Sequence, residues 1–176
     1  MGRSHNGKLA DFDELYCAYF ADIARYASRR CDTVSASDVV AETFTVAWRR
    51  IEEVRDVSVA RPWLYGIARR VLANNLRGSR RRHALTERLA LEWTTAEHSP
   101  PEPLEPLRLA LGRLSGADRE ILLLAGLEEM TPGEIAVVLE ITPEAARTRL
   151  SRARSCLRQE LERGVSASAP TGADTQ

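Results

Sequence analysis

The chain has 176 residues, 44% of them apolar and 28% charged, which suits one large or two small globular domains. Its 25 basic and 25 acidic residues cancel. No apolar run reaches the ~20 residues of a membrane helix, and the N-terminus MGRSHNGKLADFDE has no signal-peptide core. A cytoplasmic protein without membrane insertion is expected. Cys17, Cys31 and Cys156 stand too far apart for a zinc knuckle or a CxxC pair, and His5, His83 and His98 have no ligand spacing. GxSxG, HExxH and phosphate-loop patterns are absent. The expectation is therefore no catalytic residue, no metal, no cofactor and no enzyme.

The neutral total hides an uneven distribution. Residues 11–60 hold ten acids against six arginines, whereas residues 61–83 hold seven arginines and no acid. Residues 86–106 hold five glutamates and one arginine, and residues 143–158 hold five arginines and Glu144. Two compact basic segments between acidic ones suggest two contacts with a polyanion. All basic residues except Lys8 are arginine, the side chain suited to phosphates and base edges.

The elements are expected to be helices throughout. From Phe12, apolar residues recur at Leu15, Tyr16, Tyr19, Ile23 and Tyr26 with helical period. Ser35 or Ser37 can cap a second helix, in which Val40, Thr43, Phe44, Ala47 and Ile51 share one face. Its opposite face carries Asp38, Ala41, Glu42, Thr45 and Arg49. Glu52 to Ala60 reads as a polar loop, and Pro62 sits where a third helix can start. That helix buries Leu64, Ile67, Ala68, Val71 and Leu72 and turns Gly66, Arg69, Arg70, Ala73, Arg77 and Arg80 the other way. Residues 84–106 are rich in proline and acid and read as a linker, in which Leu85, Leu89 and Trp93 could make a short helix.

Beyond the linker, Leu107, Leu111 and Leu114 form a short apolar stripe that Ser115-Gly116 ends. Ala117 to Leu127 gives a leucine-rich helix. Thr131-Pro132-Gly133-Glu134 is a capping box with proline at the first helical position, opening a short helix through Leu139. A tight turn leads to Thr142-Pro143 and a long helix to about Leu161. Ala146, Leu150, Ala153, Leu157 and Leu161 form its buried side, and Arg147, Thr148, Ser151, Arg152 and Ser155 its open side. A short helix, a tight turn and a longer basic helix make a helix-turn-helix. Guanidinium forks and hydroxyls along one face can reach guanine edges and phosphates.

The segments DVVAETFTVAWRR, RPWLYGIARRVLANNLRGSRRR and DREILLLAGLEEMTPGEIAVVLEITPEAARTRLSRARSCLRQEL together resemble regions 2.2, 2.3–2.4 and 4 of the extracytoplasmic-function (ECF) sigma factors of the sigma-70 family. The resemblance implies an all-α chain of two small domains: a tail at 1–10, region 2 at 11–83, an acidic linker at 84–106, region 4 at 107–162, and a disordered tail at 163–176. It implies that Asp38, Ala41, Glu42, Thr45 and Arg49 meet the β′ clamp of core RNA polymerase. The family usually carries glutamine where Ala41 stands. It implies that Arg61, Trp63, Arg69, Arg70, Asn74, Arg77, Arg80 and Arg81 take the melted −10 strand. Trp63 and Tyr65 are candidates for base stacking. Many relatives carry asparagine at Arg70. Arg147, Thr148, Ser151 and Arg152 would read the −35 duplex, with Arg149 and Arg154 nearer phosphate or the β flap. The implied partners are core polymerase, promoter DNA and an anti-sigma protein, with the free chain a monomer. The residues leave two alternatives: a helix-turn-helix regulator that acts without core polymerase, and a pure interaction protein such as a sigma-mimicking decoy.

Overall fold

The computed structural model describes residues 5–54, 57–83 and 104–168. All regular structure among them is helical: α1 (His5–Ser28), α2 (Thr33–Arg50), a 3₁₀ turn (Ile51–Glu53), α3 (Val57–His83), α4 (Glu105–Arg113), α5 (Gly116–Gly126), α6 (Pro132–Leu139) and α7 (Pro143–Ser168). The all-α fold class is as expected. No helix among the described residues is long and apolar enough to cross a membrane. The chain divides into two compact units, one built on α1–α3 and the other on α4, α5, α7 and the first residues of α6.

In the first unit α1, α2 and α3 pack on one another pairwise. Leu15, Ile23 and Tyr26 meet Val39, Val40, Phe44 and Ala47 of α2 and Leu64, Ile67, Ala68 and Val71 of α3 in the core. Each large apolar side chain so buried contributes about 1.5–3 kcal/mol. Thr43 is fully buried, and its hydroxyl donates to the Val39 carbonyl at 2.6 Å, so no polar atom is stranded. Tyr26 and Tyr65 meet edge to face, ring centroids 5.1 Å apart.

Several local expectations need correction here. The cap of α2 is Asp32, not Ser35 or Ser37: its carboxylate accepts from the Ser35 N–H at 3.0 Å and from the Ser35 hydroxyl at 2.7 Å. An aspartate three residues before an available N–H is as good a cap as serine, and it lets the helix start one turn earlier. The loop expected over Glu52–Ala60 is shorter. It opens with the 3₁₀ turn, pinned by a two-pronged Arg50–Glu53 pair at 2.9 and 2.6 Å, and α3 already begins at Val57. Pro62 therefore lies inside α3 rather than at its start; it is fully buried, and that packing offsets the ladder bond its ring forfeits. Tyr65, a stacking candidate, is a core residue at 1% exposure. Both terminal tails are partly helical, since α1 starts at His5 and α7 runs to Ser168. Once a helix exists, each added residue gains a hydrogen bond without a new nucleus.

In the second unit α4 and α5 both pack on α7. Ala110, Leu114, Ile121, Leu123, Leu124, Met130, Ala146, Leu150 and Ala153 are buried. Leu157 and Leu161, further along the inner line of α7, are half-buried. Leu107, expected in the apolar stripe, is instead exposed on α4, where Ala110 and Leu114 take the inner positions. Ser115 caps α5 by accepting from the Asp118 N–H. Arg119 reaches back from α5 to the open end of α4, donating to the carbonyls of Leu111 and Gly112, both at 2.8 Å, and of Leu114 at 3.3 Å. The Leu114 N–H also donates to the Leu111 carbonyl at 3.3 Å, so the guanidinium and this backbone bond together close the C-terminal end of α4. The helix expected through Leu85, Leu89 and Trp93 lies outside the described residues.

Candidate nucleic-acid interface

Three helices carry the residues singled out in the sequence; Gly66, expected on the outward side of α3, is buried. On α2, Asp38, Ala41, Glu42, Thr45 and Arg49 are all exposed, and Val39, Val40, Thr43, Phe44 and Ala47 between them are buried. The spacing of three and four residues sets the five on one stripe. The Thr45 hydroxyl donates to the Ala41 carbonyl at 2.8 Å. Beside the stripe, α1 and α2 leave a shallow apolar groove of about 310 Å³, lined by Tyr16, Phe20, Val40, Ala41 and Phe44 among others. Tyr16 and Phe20, at 39% and 41% exposure, hold its outer wall by ring contacts with Phe44. Phe12, Tyr16 and Phe20 recur every fourth residue, a stripe legible in the sequence once Phe20 is counted.

On α3, Arg70 and Asn74 are exposed, and Arg61, Trp63 and Arg69 are half-buried. The Arg61 guanidinium lies 5.6 Å from the Tyr65 ring centre, within cation–π reach. The buried Tyr65 thus has a part in the face, as a platform for Arg61 rather than for a base. Arg77, Arg80 and Arg81 fall on the last turns of α3.

The third face belongs to the helix-turn-helix. Thr131 and Glu134 form the reciprocal capping box. The Thr131 N–H donates to the Glu134 carboxylate at 2.8 Å, and the Glu134 N–H donates to the Thr131 hydroxyl at 3.3 Å. The Thr142 hydroxyl accepts from the Ala145 N–H at 3.2 Å and caps α7. On α7, Arg147, Thr148, Ser151 and Arg152 are exposed, as are Arg149, Arg154 and Ser155, and Ala146, Leu150 and Ala153 are buried. The hydroxyls of Thr148 and Ser155 donate one turn back, to the carbonyls of Glu144 and Ser151.

Sequence reasoning missed two features of this region. Glu144 continues the Arg147–Thr148–Ser151 stripe to the start of α7 and pairs with Arg147 at 2.8 Å. A single acid among arginines reads as a solvated residue, and only its spacing to Arg147 marks it. Glu129 and Glu140 have positive φ, 50° and 56°. Glu140 directly follows α6, and there the Ile141 N–H bonds five residues back to the Ala136 carbonyl at 3.0 Å and the Glu140 N–H three back to the Val137 carbonyl at 3.3 Å, the Schellman pair. Glu129 lies three residues past the end of α5, where the Met130 N–H bonds six residues back to the Leu124 carbonyl at 3.0 Å, a wider closure. In both, glutamate takes a conformation that usually falls to glycine.

Comparison with known proteins speaks to the family of the chain. The sigma-70 region 2 family matches residues 15–82, and the sigma-70 region 4 family matches residues 104–157. The ECF RNA polymerase sigma factor SigL of Mycobacterium tuberculosis is 31% identical over 156 residues, covering 84% of this chain and 87% of the relative. The ECF RNA polymerase sigma factor SigM of Bacillus subtilis is 29% identical over 158 residues, covering 87% of this chain and 96% of the relative. A relative from Xanthomonas campestris, 33% identical over 139 residues, is matched over only 35% of its own length. Among solved structures, the sigma factor RpoE of Bartonella quintana, seen with the anti-sigma factor NepR, has a TM-score of 0.64 at 23% identity, covering 86% of this chain and 97% of that one. CnrH, seen with the cytosolic domain of CnrY, has a TM-score of 0.58 at 23% identity, covering 90% of this chain and 89% of that one. At that identity the structures speak for the fold, and the sequence relatives for the family. The chain belongs to the sigma-70 family, in its extracytoplasmic-function group.

Proposed function

We infer that this chain directs core RNA polymerase to promoters by binding alone, with no catalysis of its own. The observation that carries the reading is the coexistence, in one chain, of a polar stripe on α2, a basic α3 and a basic reading face on α7. The α2 stripe docks on the β′ clamp. Region 4 lays α7 in the major groove of the −35 element, where Arg147, Thr148, Ser151 and Arg152 meet base edges and phosphates. Arg61, Trp63, Arg69, Arg70, Asn74, Arg77, Arg80 and Arg81 take the separated −10 strand. An unpaired strand shows base faces that a duplex hides, so holding it favours opening. Domain boundaries at 11–83 and 107–162 follow from this division of labour. The protein acts in the cytoplasm as a monomer. One of its structural neighbours was seen with an anti-sigma factor and another with the cytosolic domain of CnrY. An anti-sigma protein covering these faces is the corresponding mode of control.

Permanganate footprinting of unpaired thymines, beside run-off transcription with purified core polymerase, tests the reading. Alanine at Arg69, Arg70, Arg77 and Arg80 is expected to impair opening more than closed-complex binding, because α7 still anchors the duplex upstream. A template mismatched across the −10 element should restore part of the activity. Opening at the unsubstituted level in the quadruple variant refutes the strand-holding role of α3. Promoter binding that needs no core polymerase, as a dimer on palindromic DNA, refutes the reading as a whole.

A further inference from the structure

We propose that Glu144 and Arg147 act as one unit that reads both halves of a single G·C base pair in the −35 element. The proposal rests on the reading of α7 as the duplex-binding helix. Glu144 lies in the first turn of α7, three residues before Arg147 and four before Thr148, so it shares their exposed face. Residues at the start of a recognition helix are the ones that contact base edges. An Arg147 Nη atom stands 2.8 Å from a Glu144 carboxylate oxygen, with the two side chains 59% and 74% exposed. So open an ion pair adds little to stability. Beside a row of phosphates, an unbonded carboxylate would weaken binding. Glu144 is paired with Arg147, and its carboxylate has acceptor capacity left for a donor on the DNA.

The pair has the shape of the edge it would read. A salt-bridged Arg–Glu presents donor, donor, acceptor in one row: two guanidinium N–H groups and then a carboxylate oxygen. In the major groove a G·C pair presents acceptor, acceptor, donor: guanine N7, guanine O6 and cytosine N4–H. Guanine O6 and cytosine N4 are hydrogen-bonded to each other, so they lie about 2.9 Å apart. That matches the 2.8 Å between the arginine nitrogen and the glutamate oxygen. The guanidinium can thus sit on the guanine while the carboxylate accepts from the cytosine, with the ion pair intact. A reversed C·G pair sets the cytosine amino group against the guanidinium. A·T alternates acceptor, donor, acceptor and meets the row wrongly at its centre and at its carboxylate end. The unit therefore selects the base pair and its orientation together.

The test uses the chain assembled with core polymerase and promoters carrying every single substitution in the −35 element. Glu144→Ala and Arg147→Ala are expected to flatten preference at the same G·C pair, each by roughly 5- to 150-fold. The double variant should lose little more than the worse single one. N4-methylcytosine at that pair, which replaces the outward N–H, should weaken the unsubstituted protein but not Glu144→Ala. Loss of preference at two different pairs overturns the proposal. So does uniform tightening on all promoters by Glu144→Ala, the sign of mere phosphate repulsion. An equal methylcytosine penalty in both proteins also overturns it and leaves Glu144 as a positioning residue for Arg147. If Ser151→Ala and Arg152→Ala are as silent as Glu144→Ala, and the unsubstituted holoenzyme has no −35 preference, it is the reading of α7 that fails. Preserved −35 preference with a silent Glu144 refutes the proposal alone.

Discussion

Replacing Glu129 by glycine should stabilise region 4. Glu129 closes α5 with φ at 50°, and an L-residue in the left-handed region costs roughly 1–2 kcal/mol. Glycine removes that cost but brings a larger unfolded-state entropy, about 0.5–1 kcal/mol. The carboxylate also faces the negative end of the α5 dipole, and its removal gains about 0.3–1 kcal/mol at low salt. The balance is a gain near 1 kcal/mol, or about 4–8 °C in Tm for a unit of this size. Glu129→Gln isolates the charge and should gain only the smaller, salt-sensitive part. Glu129→Val, β-branched and uncharged, should lose stability. All three tryptophans, Trp48, Trp63 and Trp93, precede residue 104. The shift should therefore appear in urea unfolding followed by far-ultraviolet circular dichroism and leave the tryptophan signal in place. Equal stabilities for the glycine, glutamine and valine variants would show that the left-handed closure carries no cost, and the reasoning would be wrong.

Other substitutions probe other links. Asp32→Ala removes the cap of α2 and should cost about 1 kcal/mol at neutral pH, read by tryptophan fluorescence in urea. Bonds from Ser35 hold the Asp32 carboxyl below the ordinary carboxylate range, so its contribution is present above about pH 4 and is lost as the pH falls below that; a difference between the two proteins that stays constant from pH 7 to pH 3 would contradict this. Arg119→Ala removes the guanidinium bonds to the carbonyls at the end of α4 and should cost region 4 about 2 kcal/mol, and Arg119→Lys should not restore it, since one ammonium cannot span carbonyls that the planar fork serves together. Ala41→Gln adds a polar group to the exposed α2 stripe at a position where the family usually has glutamine, and competition for core polymerase should show tighter binding; weaker binding would remove Ala41 from the clamp face.

The parts of this molecule that could be read in the sequence are those where one local rule decides. The α7 face was legible because alanine and leucine at 146, 150 and 153 alternate with arginine and hydroxyl residues at helical spacing. The Thr131–Glu134 box was legible because its two residues cap each other without help from the rest of the chain. Where two local solutions compete, tertiary packing chose. Asp32, Ser35 and Ser37 are all competent caps, and the choice fell to the one that lets Ala36, Val39 and Val40 reach the core. Pro62 is a fair helix start in isolation, but Ala60 and Pro62 are both buried and draw the preceding turn into α3. The left-handed glutamates were invisible, because glycine is the sequence flag for that conformation and it is absent from both places. Tyr65 looked available to a base only while Tyr26 was not known to be beside it.

The exposed face of α7 is fixed in rotation by the small residues behind it. Ala146 and Ala153 are fully buried and Leu150 between them is 4% exposed. Two alanines on the inner line let α7 lie close against α4 and α5, and the leucine fills the space between. A helix places successive residues about 100° apart. Turning α7 by one residue to present a different set of side chains would bring Leu150 into water, at a cost of about 2 kcal/mol. It would also press Arg149 or Ser151 into the space that Leu150 leaves. Neither has a buried partner there, so the penalty grows by the desolvation of an unpaired polar group. The stripe Glu144, Arg147, Thr148, Ser151 is thus set by the apolar line, not by its own chemistry. The identity of those four residues is then free to change, and on the proposed role of α7 the sequence read with it, without disturbing the fold that presents them. The same separation holds on α2, where Val39, Val40, Thr43, Phe44 and Ala47 fix which five side chains face outward. In both helices the buried line decides where the contact is made, and the exposed line decides with what.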